Sequence, residues 1–209
     1  ALAAAIVRQS GAEPAQAEIV ARNLVDANLS GHDSHGVGML PAYMKGIKSG
    51  QLDPHGGLTL EQDSGQSQLL NGNAYHIGRI GAWGELCSEA GFISIHYVNV
   101  LSPNSLVAPH GGSDARFSTN PYCTALPATP GGPPLILDMA TSNVAQGKVR
   151  VAYNKGVPAP EGSLIDHEGM PTNDPAVMFK EPKGALRAMG LHKGYGLAMV
   201  CEPLAGAFV

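Results

Sequence analysis

The stretch Gly31-His32-Asp33-Ser34-His35-Gly36-Val37 sets two imidazoles, a carboxylate and a hydroxyl between glycines, at the junction of two predicted helices. A histidine titrates near neutral pH, so an imidazole in such a loop can give a proton to a ligand or take one from it. Two other interpretations stay open at this point. Both histidines could be ordinary turn residues that cap a helix, or His32 and His35 could bind one metal ion, although no third ligand has zinc-like spacing.

The hydrophobic pattern around this stretch predicts helices and strands together, and hence an α/β (mixed α+β) fold. In the first part of the chain it predicts helices over 3–9, from Pro14 to Asn28 and from Leu40 to Ile47, then short strands within 51–72. In the second part it predicts helices over 82–90, Ser142–Val151 and Tyr195–Phe208, and strands over 92–100 and Leu135–Asp138, the last one buried. Residues 103–134 hold seven prolines and four glycines, so they are predicted to lack regular structure and to wrap around something or be held by a partner.

The composition predicts a folded chain in a reducing compartment. Of the 209 residues 44% are hydrophobic, and 27 glycines with 16 prolines indicate many tight turns rather than a helical bundle. A net charge of -4 offers no basic surface for nucleic acid. No apolar run approaches the roughly 20 residues of a membrane span, and no signal-peptide pattern is present. Three scattered cysteines form no disulfide framework, so a cytoplasmic location is expected.

Two further segments can bind a ligand. Asp138-Met139-Ala140-Thr141-Ser142 places a carboxylate and two hydroxyls where a strand is predicted to pass into a helix, an edge at which ligands often bind, although Asp138 can equally be a helix N-cap. His192-Lys193-Gly194-Tyr195-Gly196 is a cationic, glycine-rich turn whose lysine can neutralise a phosphate or simply be solvated. Neither segment contains the GxGxxG pattern of a Rossmann fold.

Taken together, these motifs resemble those of the malate/L-lactate dehydrogenase family, NAD(P)-dependent oxidoreductases that lack a Rossmann fold. The resemblance rests on motifs that occur in family order over nearly the whole chain, namely 31–37, 107–112, 119–121, 137–142, Gly147-Lys148, Pro171-Thr172 and 192–196. It implies a non-Rossmann NAD(P)-binding domain with a mixed sheet over 74–209, and a helical N-terminal region over 1–73. The known folds of this kind are those of L-sulfolactate and malate dehydrogenases.

The resemblance also implies the roles of individual residues. His35 is expected to protonate the oxygen that forms as hydride reaches a carbonyl carbon, and to act as the base in the oxidative direction. Ser34 and Asp138 are the further catalytic candidates, and His76 and Asn120 are expected in the wall of the substrate pocket. NAD or NADP is expected to contact Ile136, Leu137, Asp138, Met139, Ala140, Thr141, His192 and Lys193, and no metal is expected. The partners implied are a small 2-oxo or 2-hydroxy acid and further copies of the chain in a homodimer or higher homo-oligomer.

Three departures from the family pattern are visible in the sequence. A helix and a strand are expected between Asn73 and Ala74, and a large C-terminal part is expected after Val209, so the chain is interpreted as joined segments of a longer protein or as a fragment. Met39 stands where many relatives carry an arginine that can bind a substrate carboxylate, which puts the choice of 2-hydroxy acid in question.

Three alternatives to a 2-hydroxy acid dehydrogenase are retained. Within the family, a reductase of cyclic imino acids such as piperideine- or pyrroline-2-carboxylate would pass the proton to nitrogen. From another class, a metal-dependent hydrolase would use His32, Asp33 and His35. A binding protein without catalytic activity would follow if the expected segments are truly absent.

Overall fold

The computed structural model describes residues 1–65, 68–72, 76–100 and 105–207 of the chain. These residues form helices and small sheets together, which confirms the mixed α/β class. The chain divides into two compact units, an N-terminal one from Ala1 to Ala82 and a C-terminal one from Trp83 to Val209. Within the described ranges, none of the helices combines the length and apolar character that crossing a membrane requires.

The N-terminal unit begins with three helices, α1 (Leu2–Gln9), α2 (Pro14–Leu29) and α3 (Leu40–Lys48), close to their predicted bounds. Pro14 opens α2, where its missing N–H costs no hydrogen bond. Gly11 has a φ of +111°, a backbone angle that glycine tolerates, and so ends α1 as the sequence predicted. The helices bury a small core of alanine, valine and leucine side chains, namely Val7, Ala12, Ala17, Leu24 and Leu40.

The rest of the described N-terminal unit contains an antiparallel hairpin. Its strands are β1 (Thr59–Asp63) and β2 (Gln68–Asn71), which confirms the short strands predicted within 51–72. Most of the hairpin's side chains are exposed, so it adds little to the core. The expected gap between Asn73 and Ala74 lies outside the described residues.

The C-terminal unit contains an antiparallel sheet packed against a helix. Its strands are β3 (Ser94–Tyr97), β4 (Tyr122–Leu126) and β5 (Leu135–Met139), in the order β3-β4-β5. Helix α4 (Gly81–Glu89) approaches one face of this sheet so closely that a Cβ at Gly84 would lie 3.0 Å from Ala125 Cβ and Cys123 Sγ. Gly84 therefore allows the helix to pack on the two small residues of β4.

Two predictions for this sheet are wrong. Strand β5 was predicted to be buried, but it lies at one end of the sheet, where Leu135 is 59% exposed and Leu137 is 45% exposed. Residues 103–134 were predicted to lack regular structure, but they contain β4, whose Cys123 and Ala125 are fully buried. The strand alternates buried and more exposed side chains. It is short and has prolines on either side, so its pattern was not recognised in the sequence. Residues 103 and 104 lie outside the described part of the chain.

A second small sheet and two helices complete the C-terminal unit. Helix α5 spans Gln146–Lys155, and the strands β6 (Leu164–Ile165), β7 (Pro171–Thr172) and β8 (Ala185–Leu186) pair in the order β7-β6-β8. Helix α6 (His192–Glu202) continues into an irregular helical turn, Pro203–Ala207. Val107, Val149, Leu164 and Leu186, each at most 2% exposed, form the centre of this unit's core.

The structure corrects the start of both helices. Helix α5 begins at Gln146 rather than Ser142, because residues 142 and 143 pair with the 187–188 segment and Asn143 N–H donates to Arg187 O over 2.8 Å. Helix α6 begins at His192 rather than Tyr195, so the cationic motif is the first turn of the helix and not the loop before it. The predicted end at Phe208 lies outside the described residues.

The close packing of α6 generates a stability prediction. A Cβ at Gly194 would overlap the carbonyl oxygens of Thr141 and Met189, whereas a Cβ at Gly196 would meet nothing within 4 Å. We expect Gly194→Ala to lower the free energy of unfolding by about 1–3 kcal/mol, and Gly196→Ala to raise it by about 0.5–1 kcal/mol. Urea unfolding followed by the fluorescence of Trp83, the chain's single tryptophan, measures both. Equal midpoints for the two variants would contradict this packing.

Candidate active site

Three side chains of the N-terminal unit form a hydrogen-bonded chain that ends on His35. His35 Nδ1 lies 3.1 Å from His76 Nε2, and His76 Nδ1 lies 2.7 Å from the Tyr43 hydroxyl oxygen. The two imidazole rings are nearly parallel, with an interplanar angle of 16° and centroids 5.2 Å apart. His76 therefore lies between His35 and Tyr43 and contacts one of them at each ring nitrogen.

His76 is the neutral member of this pair near pH 7. Burial, and to a smaller extent the positive charge of a protonated His35, lower the pKa of His76 from 6.5 to about 4. Near pH 7 His76 is therefore a neutral hydrogen-bond partner for His35.

The turn that carries His35 is fixed by Asn28, near the end of α2. Asn28 Nδ2 donates to Asp33 Oδ1 over 2.5 Å, and Asn28 Oδ1 accepts from the Val37 N–H over 2.8 Å. A Cβ at Gly36 would overlap the Asn28 side chain, so glycine is required where the amide crosses the turn. Asn28 was not among the predicted site residues, and its one sequence signal is an amide at a helix end five residues before Asp33.

The remaining residues of the turn have different surroundings. Ser34 is half-buried beside His35, while the Asp33 carboxylate is engaged by Asn28. In the ranges that the structure describes, no group of three or more His, Cys, Asp or Glu side chains is placed to hold a metal ion.

Met39 packs against the helical core of the N-terminal unit. A cavity of about 530 Å³ along α1 and α2 is lined mainly by apolar side chains and by none of the His35, His76 or Tyr43 side chains.

In the C-terminal unit, the two predicted cofactor segments meet at Thr141. Thr141 is fully buried, and its N–H and Oγ1 both donate to Thr119 O over 3.0 Å. Its carbonyl oxygen accepts from the Met189 N–H over 2.8 Å and lies where a Cβ at Gly194 would be. The end of the 136–141 segment is thus in direct contact with the first turn of α6, which carries His192 and Lys193.

Asp138 has a different place from the one that its sequence suggested. It lies inside β5, opposite Cys123 of β4, and α5 begins only at Gln146, so Asp138 is not the N-cap of a helix. The strand therefore passes into a loop, and that loop instead pairs with residues 187–188. The two hydroxyls of the motif also bond within the protein, because Ser142 Oγ donates to Val144 O over 2.9 Å.

A cavity of about 370 Å³ lies beside the start of α6. Its wall includes the turn from His110 to Ser113, Arg187 and Leu191, and the His110 ring lies 6.0 Å from that of His192. The volume falls within the usual range for small-molecule sites. The Arg187 guanidinium, the His110 imidazole and the glycines of the turn suit the phosphates of a dinucleotide, while the Glu168 carboxylate in the same wall does not. Most of this lining therefore fits a nicotinamide cofactor, although residues 136–141, His192 and Lys193 are not part of it.

Asn120 is fully buried, and its amide bonds at both ends within the protein. Its Nδ2 donates to Glu202 Oε1 over 2.6 Å, and its Oδ1 accepts from the Val100 N–H over 3.1 Å. Its backbone φ is +23°, which is uncommon for a residue other than glycine. These contacts join the start of β4 to α6, and a part for Asn120 in the substrate pocket stays a prediction.

The family model for malate/L-lactate dehydrogenases matches this chain in two segments, residues 1–75 and 71–209. The chain therefore belongs to the malate/L-lactate dehydrogenase family, as its motifs indicated.

Individual relatives agree with this membership. Hydroxycarboxylate dehydrogenase B of Escherichia coli (strain K12) is 43% identical over an alignment 234 residues long, gaps included. The alignment covers 97% of this chain and 64% of the relative. L-lactate dehydrogenase of Cupriavidus necator is 38% identical over 91% of this chain and 63% of its own length. A Δ1-pyrroline-2-carboxylate/Δ1-piperideine-2-carboxylate reductase of Pseudomonas putida is 31% identical over 97% of this chain and 67% of its own length. The solved structure of a candidate malate/lactate dehydrogenase from Escherichia coli superimposes with a TM-score of 0.94 at 42% identity, covering 99% of this chain and 66% of that one. The chain thus spans about two thirds of the length of these relatives.

The lowered pKa of His76 predicts how the N-terminal unit responds to acid. An unfolded imidazole binds a proton below its ordinary pKa of 6.5, whereas folded His76 does so only near 4. The stability that this difference contributes is present above pH 6.5 and is lost as the pH falls to about 4. We expect the His76 resonance in a proton NMR titration to move only as the pH approaches 4. A His76 midpoint near 6.5 would contradict the buried pair, and His76→Gln identifies the resonance.

Proposed function

We propose that the protein is an NAD(P)-dependent oxidoreductase that interconverts a 2-hydroxy acid and its 2-oxo acid. The observation that carries the proposal is the His35–His76 contact, because it gives a family motif one histidine that can titrate and a neutral partner that orients it. Relatives named for hydroxycarboxylate and lactate support the substrate class.

The proposed role of His35 is general acid–base catalysis. When bound, the nicotinamide cofactor supplies hydride to the carbonyl carbon of the 2-oxo acid, or accepts it in the reverse direction. In reduction, protonated His35 gives a proton to the carbonyl oxygen, so that hydride and proton together convert the carbonyl to an alcohol. In oxidation, neutral His35 takes the hydroxyl proton.

Three further side chains are proposed to support this step. Ser34, beside His35 on the turn, and Asp138, in β5, are proposed to complete the polar network around the substrate. Asn120 is proposed to support the pocket wall from its buried position. Met39 offers no cation for the substrate carboxylate, so we propose that another group of the protein binds it and that the preferred acid differs from that of arginine-bearing relatives.

We propose that NAD or NADP is held by the C-terminal unit. Lys193 and His192 at the start of α6 would face the cofactor's phosphates, and residues Ile136, Leu137, Asp138, Met139, Ala140 and Thr141 would form the adjoining wall. The antiparallel pairing of β3, β4 and β5 supports a cofactor domain that is not a Rossmann fold, since that fold uses parallel strands. The helices of the N-terminal unit support the helical region proposed for residues 1–73.

The proposed partners are a small 2-oxo or 2-hydroxy acid and further copies of the chain in a homodimer or higher homo-oligomer. The homo-oligomer, the cytoplasmic location and the expected segments near 73/74 and after 209 stay predictions from the family resemblance.

A cyclic imino acid reductase is the second candidate, and the Pseudomonas putida relative favours it. The same His35 would then protonate the imine nitrogen. A metal-dependent hydrolase built on His32, Asp33 and His35 is less well supported, because Asn28 holds the Asp33 carboxylate and no three-ligand group is found in the described residues.

Replacement of His35 tests the catalytic role. We expect His35→Gln to lower the rate of NADH or NADPH oxidation by a 2-oxo acid about 10²–10⁴-fold, the usual worth of general acid–base catalysis. His32→Gln is the matched control on the same turn and is expected to retain the rate. A panel of 2-oxo acids and one cyclic imine, followed at the nicotinamide absorbance, ranks the substrates. Full activity of His35→Gln would refute the role, and equal losses in both variants would mean that the turn as a whole, rather than His35, supports the rate.

Replacement of Lys193 tests the cofactor site. Lys193 is exposed on the first turn of α6, so we expect Lys193→Gln to weaken NADH and NADPH binding about 3- to 10-fold at low salt and less at high salt. Lys155→Gln, at the exposed end of α5, is the control and should bind both cofactors like the unaltered protein. Fluorescence titration of the reduced cofactors gives the dissociation constants. An unchanged affinity in Lys193→Gln at low salt would contradict the proposal that the cofactor's phosphates lie against α6.

A further inference from the structure

A side chain from outside the turn, Asn28 of α2, bonds to the turn on both sides of His35. Asn28 Nδ2 donates to Asp33 Oδ1 over 2.5 Å, two residues before His35. Asn28 Oδ1 accepts from the Val37 N–H over 2.8 Å, two residues after it. The backbone that carries the His35 side chain is therefore fastened at both ends to one amide group.

The two partners also fix which way the amide points. A carboxylate can only accept a hydrogen bond, and a backbone N–H can only donate one. The amide nitrogen of Asn28 must therefore face Asp33, and the amide oxygen must face Val37. The bond to Asp33 has a charged acceptor, which makes it stronger than a bond between neutral groups.

Gly36 is independent evidence that the turn is built around this amide. A Cβ at Gly36 would overlap the Cγ, Oδ1 and Nδ2 atoms of Asn28, whereas a Cβ at Gly38 would meet nothing within 4 Å. The backbone of Gly36 is extended with a φ of −88°, which residues with a side chain also adopt. The space that the Asn28 amide occupies, and not the backbone angle, is therefore what requires glycine at this position.

We propose that Asn28 and Asp33 are positioning residues, which together hold the turn so that His35 is placed for proton exchange with the substrate. Neither side chain needs to touch the substrate in this role, because the effect is exerted through His35. A displacement of about 1 Å in a catalytic group can cost about 100-fold in rate. The inference rests on the proposed function for its catalytic meaning, but the hold on the turn does not depend on turnover.

Removal of the amide is the first test. We expect Asn28→Ala to lower kcat for reduction of the 2-oxo acid about 10- to 100-fold. The KM for NADH or NADPH should change little, because the cofactor is proposed to bind to the C-terminal unit. Asn23→Ala, five residues earlier on α2, is the matched control and should keep the rate.

The proton NMR titration of His76 supplies a second readout that needs no turnover. The His35 ring packs nearly parallel to the His76 ring, so a released turn reduces both the burial of His76 and its repulsion by a protonated His35. Both changes favour the protonated form of His76. We therefore expect the His76 midpoint to rise from about 4 toward 6.5 in Asn28→Ala.

Exchange of the two side chains separates the hydrogen bond from the position of the charge. Asn28→Asp alone brings two carboxylates together and should lower kcat as Asn28→Ala does. In the double variant Asn28→Asp/Asp33→Asn, the carboxylate at position 28 accepts from the Val37 N–H and from the amide at position 33, so both bonds form again. We expect kcat to recover to within about 3-fold of the unaltered protein, since a carboxylate at the C-terminal end of α2 is slightly unfavourable.

The glycines of the turn give a matched pair of variants. The methyl group of Gly36→Ala should displace the Asn28 amide and raise the His76 midpoint, whereas Gly38→Ala should leave the midpoint near 4. In the Asn28→Ala background, Gly36→Ala should have no further effect, because the side chain that it meets has been removed.

The His76 midpoint and the exchange variant decide the proposal. A His76 midpoint that stays near 4 in Asn28→Ala, or full kcat in that variant, overturns it. In a protein that reduces the oxo acid, an exchange variant no more active than Asn28→Asp overturns it as well. The expected midpoints in a protein that oxidises no reduced cofactor would uphold the hold on the turn and refute the proposed function instead. Thermal unfolding reports whether each variant folds, and Gly36→Ala decides by the same midpoint if Asn28→Ala does not.

Discussion

The hydrogen bond between His35 and His76 is the interaction on which the proposed chemistry of the N-terminal unit depends. It joins two residues 41 positions apart and places a neutral imidazole beside the histidine of the family motif. Residues around this contact hold its members in place. Asn28 fixes the turn that presents His35, Gly36 makes room for the amide, and α3 supplies Tyr43. In the motif of two histidines and an acid, the structure thus pairs His35 with His76 and Asp33 with Asn28.

The C-terminal unit has an equivalent constraint in the contact between Thr141 and Gly194. The carbonyl of a buried threonine lies where a side chain on α6 would be, so the first turn of the helix can reach the end of the 136–141 segment. Two motifs separated by about fifty residues are thus in direct contact, and a cavity lined by Arg187 and the 110–113 turn lies beside the start of α6. Two of the 13 lysine and arginine residues of the chain, Arg187 and Lys193, are found in this region.

Much of the fold could be predicted from the sequence where local signals were strong. The helices around Pro14 and Leu40 and the positive φ at Gly11 followed from apolar spacing and turn chemistry. The starts of α5 and α6 could not be predicted, because pairing of residues 142–143 with 187–188 overrides helix propensity there. The exposure of Leu137 could not be read from an apolar run, since burial depends on which strand lies at the end of a sheet. For the site, the sequence indicated His35 and its motif. It did not indicate Asn28 or Tyr43, because their importance lies in hydrogen bonds to distant residues.

The central claim is that the protein transfers hydride to a 2-oxo acid while His35 moves the proton. The most direct test is reduction of the best 2-oxo acid with NADH or NADPH that carries deuterium at both C4 positions of the nicotinamide, with the product analysed by NMR. The account predicts deuterium on C2 of the 2-hydroxy acid and a hydroxyl proton from solvent, in a reaction that His35→Gln slows. Consumption of the oxo acid without deuterium at C2 would contradict it.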